Sequence, residues 1–252
     1  MYSFPMELVR KANKNLGETP LECLNRFKAE NPEYADLTAT YAGRLDPAAE
    51  GEMLFLFGDK VHEKDAYLKH DKTYVATFAL GVSTDTGDLL GLPTDSGVPK
   101  QIVATLDEEK IKEKIGNLLE EIKKISNQTY PAYSSKPVDG KPLFVHAREG
   151  NDVERPNRDV KIHSCDFVEI KTISSIDLLV RVGLVCSLVT GDFRQPEIIG
   201  SWSKVVLPEA IPLITLTLTV SSGTYIRSLC EQVSKILEAP AVLYSLERTS
   251  IA

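Results

Sequence analysis

Between Thr73 and Gly81 the chain alternates with a period of two. Tyr74, Ala76, Phe78 and Leu80 fall on one face, and Thr73, Val75, Thr77 and Ala79 on the other. A segment with one wholly apolar face of this period must pack as a sheet strand. Thr215–Ser221 repeats the pattern, interleaving Thr with Leu or Val, and Met53–Phe57 is a short apolar strand closed by Gly58. Ser164–Ile170 and Ile176–Leu188 read as further strands.

Helical signals lie between these runs. Thr19 can cap, Pro20 suits the first helical position and Glu22 completes a capping box. Leu21, Leu24 and Phe27 then share a face, and Asn31-Pro32 ends the helix. A second box, Thr105 with Glu108, precedes Ile111, Ile115, Leu118, Leu119 and Ile122. A third helix starts near Thr224 with Ile226, Cys230, Val233 and Leu237 inward. Ser83–Lys100 and Ser126–Arg158 read as loops. Helices and strands mix without βαβ alternation, which predicts an α+β fold on a mixed, mostly antiparallel sheet flanked by helices and long loops.

The 252 residues suffice for one domain spanning 1–252. No apolar run approaches the ~20 residues that cross a bilayer, and Met1–Asn15 lacks a basic start followed by an apolar stretch. Cys23, Cys165, Cys186 and Cys230 are scattered without a CxxC pair, as are the four histidines. Free thiols in a cytoplasmic, monomeric protein with no membrane or metal partner are therefore expected. The net charge of −7 opposes a polyanionic partner unless a local basic face overrides it.

Three segments carry residues suited to chemistry. Gly43-Arg44-Leu45-Asp46-Pro47 sets an aspartate in a turn, where such a residue most often caps nearby backbone. Lys72-Thr73-Tyr74 opens the alternating strand, and Tyr74 alone reads as a core tyrosine with its hydroxyl at the rim. Ser222-Gly223-Thr224-Tyr225-Ile226-Arg227-Ser228-Leu229 runs from strand through turn to helix start. The macrodipole disfavours a cation in a first helical turn by roughly a few tenths of a kcal/mol. Arg227 there calls for a carboxylate or phosphate partner, with a solvated arginine as the alternative.

Taken in order, these segments resemble the TruB family of RNA pseudouridine synthases. GRLDP is similar to its catalytic loop, KTY to its tyrosine motif and SSGTYIRSL to its arginine motif. The likeness takes in Gly17-Glu18-Thr19-Pro20, Thr84-Asp85-Thr86-Gly87-Asp88, Pro131–Lys136, Gly140–Leu143 and Leu246–Thr249. It runs from about Lys14 to Ala252.

The resemblance implies the pseudouridine synthase fold and isomerisation of uridine in RNA, best known at uridine 55 of the tRNA T-loop, with no cofactor and no metal. It makes Asp46 the catalytic carboxylate, Arg227 its ion-pair partner, and Tyr74 a stacking ring whose hydroxyl helps remove the C5 proton. Attack at C1′, addition at C6 and elimination to a glycal are all compatible with that carboxylate. Tyr225 and Leu246 match pocket positions, and Tyr41, Arg44, Asp88, Lys136, Lys141 and Arg148 are expected to bind substrate. The segment from about 126 to 160 matches an RNA-gripping loop, its cations joined by Tyr130, Tyr133 and Phe144. Its acidic residues nearly cancel that charge, so a solvated loop is the plain alternative.

The chain departs from the family in places. Tyr41 stands where a histidine thought to help open the RNA loop is usual, though tyrosine can also stack. Lys14-Asn15-Leu16-Gly17 replaces a Lys-Pro-x-Gly, residues from about 189 to 213 form an insertion around Trp202, and the end at Ala252 leaves out a C-terminal RNA-binding module. Other readings are a pseudouridine synthase of ribosomal RNA, since other families share an R-L-D triplet, a catalytically inactive RNA-binding or folding protein, and, last, a carboxylate-pair hydrolase. The proline after Asp46 and the GTYIRSL run favour the TruB type.

Overall fold

The computed structural model describes residues 7–94 and 108–252. Among them the frame is a seven-stranded sheet of β1 (Val9–Lys14), β2 (Ala39–Ala42), β3 (Glu50–Phe57), β4 (Lys72–Leu80), β5 (Ile162–Ser174), β6 (Ala210–Val220) and β7 (Ala241–Ile251). The order across it is β1-β3-β7-β4-β6-β5, with β2 also paired to β3. Pairing is antiparallel except between β3 and β7, which meet in parallel at Glu50–Glu247 and Gly51–Arg248. Gly51 has φ +109°, and a Cβ there would overlap the Arg248 backbone. Only glycine lets β7 come this close.

The helices are α1 (Pro20–Glu30), α2 (Lys64–Leu68), α3 (Glu108–Lys123), α4 (Leu143–Glu149), α5 (Ser175–Leu188), α6 (Gln195–Trp202) and α7 (Leu229–Leu237). The period-two pattern divides them between the faces of the sheet. Tyr74, Ala76, Phe78 and Leu80 join Ile214, Leu216 and Leu218 in a core that takes in the inner residues of α1, α3 and α7. Phe27, Tyr34, Phe55 and Phe57 crowd there with ring centroids 4.5–5.6 Å apart. Ala79, Ile211 and Leu213 lie in a second core with α5 and α6. Between them Thr73 bonds Thr219 at 3.1 Å and Thr77 bonds Thr215 at 3.0 Å, cross-strand pairs set by the β4–β6 register.

The α+β expectation and the alternating strands stand, and several local expectations need correction. Ile176–Leu188 is a helix, not a strand. A capping box from Ser174 and Asp177 starts it, and Leu178, Val182, Val185 and Cys186 form its buried stripe. Its outer face is also apolar, with Ile176, Val180, Leu184 and Leu188 exposed, so neither period dominates. Leu21 faces outward, 56% exposed, and Cys23 takes the inner place beside Leu24 and Phe27. The α1 capping box forms as expected, whereas Thr105 lies outside the described residues. The helix foreseen near Thr224 begins as a 3-10 turn at Ile226–Ser228 and becomes α-helical at Leu229.

The segment 126–160 is more ordered than its sequence suggests. Asn127–Thr129 pairs with Asn157–Asp159, enclosing a small ribbon at Pro137–Pro142 and α4. The insertion forms α6 and leads into β6. Trp202 is its anchor: it is 1% exposed, and its Nε1–H donates to the Gly91 carbonyl at 2.9 Å. Trp202→Ala removes this bond and opens a cavity, and urea denaturation is expected to show a loss of about 3–5 kcal/mol.

Candidate active site

The sheet positions a catalytic-type loop at a break in its own edge. β2 pairs with the C-terminal half of β3 through Phe57, Leu56, Phe55 and Leu54, and β7 meets β3 at Glu50 and Gly51. Residues 43–49, which join β2 to β3, lie between these contacts. Leu45 and Ala49 are buried on either side of the turn. The Ala49 amide donates to the Asp46 carbonyl at 3.0 Å, and the Gly17 amide to that of Pro47 at 2.9 Å. Two apolar anchors and a fixed backbone thus turn Asp46 toward a cleft of about 720 Å³.

Arg227 reaches the same carboxylate from the 3-10 turn. Its Nε donates to Asp46 Oδ2 at 2.9 Å, Nη1 to the Thr86 carbonyl at 2.9 Å and Nη2 to the Tyr133 carbonyl at 2.7 Å. The Arg227 side chain is 4% exposed and that of Asp46 43% exposed, so the pair is sealed on the arginine side and open on the other. Burial works against the Arg227 charge, but Asp46 and Asp88 outweigh it and raise the guanidinium above its ordinary range. Asp88 lies behind the pair, its carboxylate accepting from Thr86 Oγ1 at 2.8 Å and the Leu90 amide at 3.0 Å. Burial pushes this carboxyl up, against the opposing charge of Arg227.

Tyr74 lines the same cleft from β4 and is 6% exposed. Burial raises its phenol above the usual tyrosine range, with the Arg248 guanidinium pulling the other way. Tyr41, Arg44, Arg148, Tyr225 and Leu246 also line the cleft. Lys64 Nζ sits 5.4 Å from the Tyr41 ring centroid, and the Arg227 guanidinium lies 5.5 Å from that of Tyr225. Arg148 is turned to Asp192, donating to its carbonyl at 2.7 Å. Lys136 and Lys141 stand apart from the cleft lining: Lys136 packs over Tyr130, and Lys141 pairs with Glu149 at 3.1 Å.

Four residues that the motif reading did not single out for the cleft or its walls hold them in place. Gln128 exchanges hydrogen bonds with the Tyr225 backbone at 3.2 and 2.9 Å, fastening the 126–160 segment to the arginine turn. Arg158 donates to the Ser222 carbonyl at 3.0 Å. It lies directly over Gly223, where any Cβ would collide with its guanidinium. Arg248, 1% exposed, donates to the Glu52 carbonyl at 2.6 Å and the Arg44 carbonyl at 3.3 Å. Lys72, 5% exposed, donates to the carbonyls of Leu68 and His70. Alternation along β7 was the available signal for Arg248, because it shares a face with Leu246. Gln128 gave none, since its role depends on a partner 97 residues away.

The lining resolves the conflict posed by net charge. Among the described residues, eight Arg and Lys side chains border the cleft against three Asp. The local field is therefore positive on a chain of net charge −7.

With fold and site in view, comparison with known proteins identifies the class. The family model described as "TruB family pseudouridylate synthase (N terminal domain)" matches residues 34–187. The chain belongs to the TruB family, as its motifs imply. Curated relatives named tRNA pseudouridine synthase B include one from Cupriavidus metallidurans, 30% identical over 213 residues, 84% of this chain and 53% of the relative. Another, from Ralstonia nicotianae, is 32% identical over 213 residues, 84% of this chain and 54% of the relative. The chain thus spans about half the length of the curated relatives it matches. A crystal structure of a Cbf5-Nop10-Gar1 complex shares the fold, with a TM-score of 0.51 at 18% identity over 96% of this chain and 48% of that one. Among the described residues no helix is long and apolar enough to cross a membrane.

Lys72 gives the site a pH signature. Burial, with Arg248 and Arg158 nearby, lowers its amine to about 8. An unfolded lysine stays protonated to about pH 10, so above pH 8 the unfolded chain binds the extra proton and Lys72 favours folding increasingly as pH rises. The unfolding free energy of wild type minus that of Lys72→Met is expected to grow between pH 7 and pH 9 in denaturant titrations. A flat difference would place the Lys72 titration elsewhere.

Proposed function

We propose that this protein isomerises uridine to pseudouridine in RNA, with Asp46 as the catalytic carboxylate and uridine 55 of the tRNA T-loop as its substrate. One observation carries the reading: the half-open Asp46 carboxylate is bound at 2.9 Å by a buried Arg227 on the floor of a basic cleft. The ion pair and the well-aligned donor favour the charged carboxylate, the form needed to attack carbon or stabilise a cationic sugar. In the reaction the N1–C1′ bond breaks, C1′ joins C5, the C5 proton leaves and N1 ends protonated. Atoms and electrons balance within the nucleotide.

The cations around the cleft suit phosphate, and the names of the curated relatives favour tRNA. A stacked base must leave its neighbours to reach Asp46. Tyr74 and Tyr225 border the space it would enter, and stacking on such rings contributes ~1–3 kcal/mol. Because burial keeps the Tyr74 phenol neutral, its share in removing the C5 proton is that of a hydrogen-bonded relay, with Arg248 easing any build-up of negative charge. Four buried free thiols accord with action in the cytoplasm.

The test is release of label from C5-tritiated uridine in a tRNA transcript, run beside a ribosomal RNA transcript. Asp46→Ala is expected to lower release by at least about a thousandfold while RNA binding persists. Arg227→Lys, which keeps charge but loses the fork to Thr86 and Tyr133, is expected to cost on the order of a hundredfold. Equal release by wild type and Asp46→Ala removes the assignment of Asp46, and conversion of ribosomal RNA alone moves the substrate.

A further inference from the structure

Arg194 sits in the insertion, just ahead of α6, with the left-handed backbone angle φ +61°. A side chain other than glycine in that region costs of order 1 kcal/mol and persists where its surroundings demand it. Those surroundings are specific. Arg194 Nη1 donates to Asp85 Oδ2 at 2.8 Å and Nη2 to Oδ1 at 3.3 Å, a planar two-point pair. The same guanidinium carbon lies 4.5 Å from the centroid of the Tyr133 ring. Asp85 is fixed further by the Leu92 amide, which donates to Oδ1 at 2.8 Å.

Asp85 precedes Thr86, whose carbonyl accepts from Arg227 Nη1, and Tyr133 supplies the carbonyl that accepts from Nη2. The two backbone acceptors that orient Arg227 are therefore each braced by Arg194, one through a carboxylate and one through a ring. We propose that Arg194 is a positioning residue: it clamps the Thr84–Asp88 turn to the 126–160 segment and so fixes the fork of Arg227 against Asp46. The proposal rests on the reading of Asp46 and Arg227 as the reacting pair. It gives the insertion a role in turnover, beyond its share in the second core.

Two readouts on the full chain test this. The first is hydrogen exchange of the Arg227 Nε–H, followed by NMR, which reports its bond to Asp46 without any turnover. Arg194→Ala is expected to speed that exchange about tenfold or more, through loss of both braces. The second is single-turnover conversion at saturating tRNA transcript, expected to fall about tenfold to a hundredfold while transcript affinity stays within about twofold. Asp85→Asn is expected to act in the same direction, and the double variant to be no slower than the slower single one, because both cut one linkage.

Unchanged Arg227 exchange in Arg194→Ala overturns the proposal. So does weaker affinity with a salt slope reduced by about one and an unaltered rate, which marks a direct phosphate contact. Should Arg194→Ala fail to fold, Arg194→Lys keeps the charge, loses the planar pair and the ring contact, and is read the same way. If wild type converts no uridine, the functional reading fails, and Arg227 exchange still decides the role of Arg194.

Discussion

A guanidinium taken out of water costs several kcal/mol unless its donors are met by charge and by well-aligned acceptors. Arg227 meets that demand with one carboxylate and two main-chain carbonyls. The three acceptors come from the turn at Asp46, the turn at Thr86 and the segment at Tyr133, far apart in the chain. Burying this one side chain therefore requires three loops and the 3-10 turn to arrive in register together. The sheet makes this possible: β4 lies between β7 and β6, so the ends of these strands deliver their loops to one place. Gln128 and Arg158 complete the assembly by tying the 126–160 segment to the backbone of the arginine turn.

Charge is distributed to match. Much of the acidic surplus is spent on the exterior, in near-neighbour pairs such as Glu120–Lys123 and Glu121–Lys124 on and just beyond α3. Such exposed pairs contribute little to stability. The cleft gathers cations instead, including Lys72 and Arg248, whose donors are met by backbone carbonyls. A polyanion approaching the molecule experiences this local field more than the sum over the chain, because salt screens distant charges within about 10 Å.

The second core shows how a family frame absorbs added chain. The family match ends at residue 187. Val189, Ile198 and Trp202, which follow it, pack with Leu178, Val182 and Val185 of α5 against the far face of the sheet. The same added segment turns Phe193 and Arg194 into the cleft. A stretch that packs on one side and lines the cleft on the other links the stability of the insertion to the shape of the site.

Local rules were enough wherever period and chemistry agreed. The alternation in β4 and β6, the capping box of α1 and the α+β class were legible because each depends on residues a few positions apart. The motif likeness gave the family and named Asp46, Tyr74 and Arg227, which the structure brings to one cleft. Sequence failed at Ile176–Leu188, where apolar residues ring the whole segment and erase the contrast between periods. It also could not place Lys136 and Lys141, because exposed lysines follow whichever local partner the fold offers. Gln128, Arg194 and the two carbonyls on Arg227 were invisible for a different reason. A hydrogen-bond partner a hundred residues away leaves no local pattern, and a backbone acceptor has no residue identity to read. Side-chain chemistry was written in the chain, while the geometry that confines it came from tertiary packing alone.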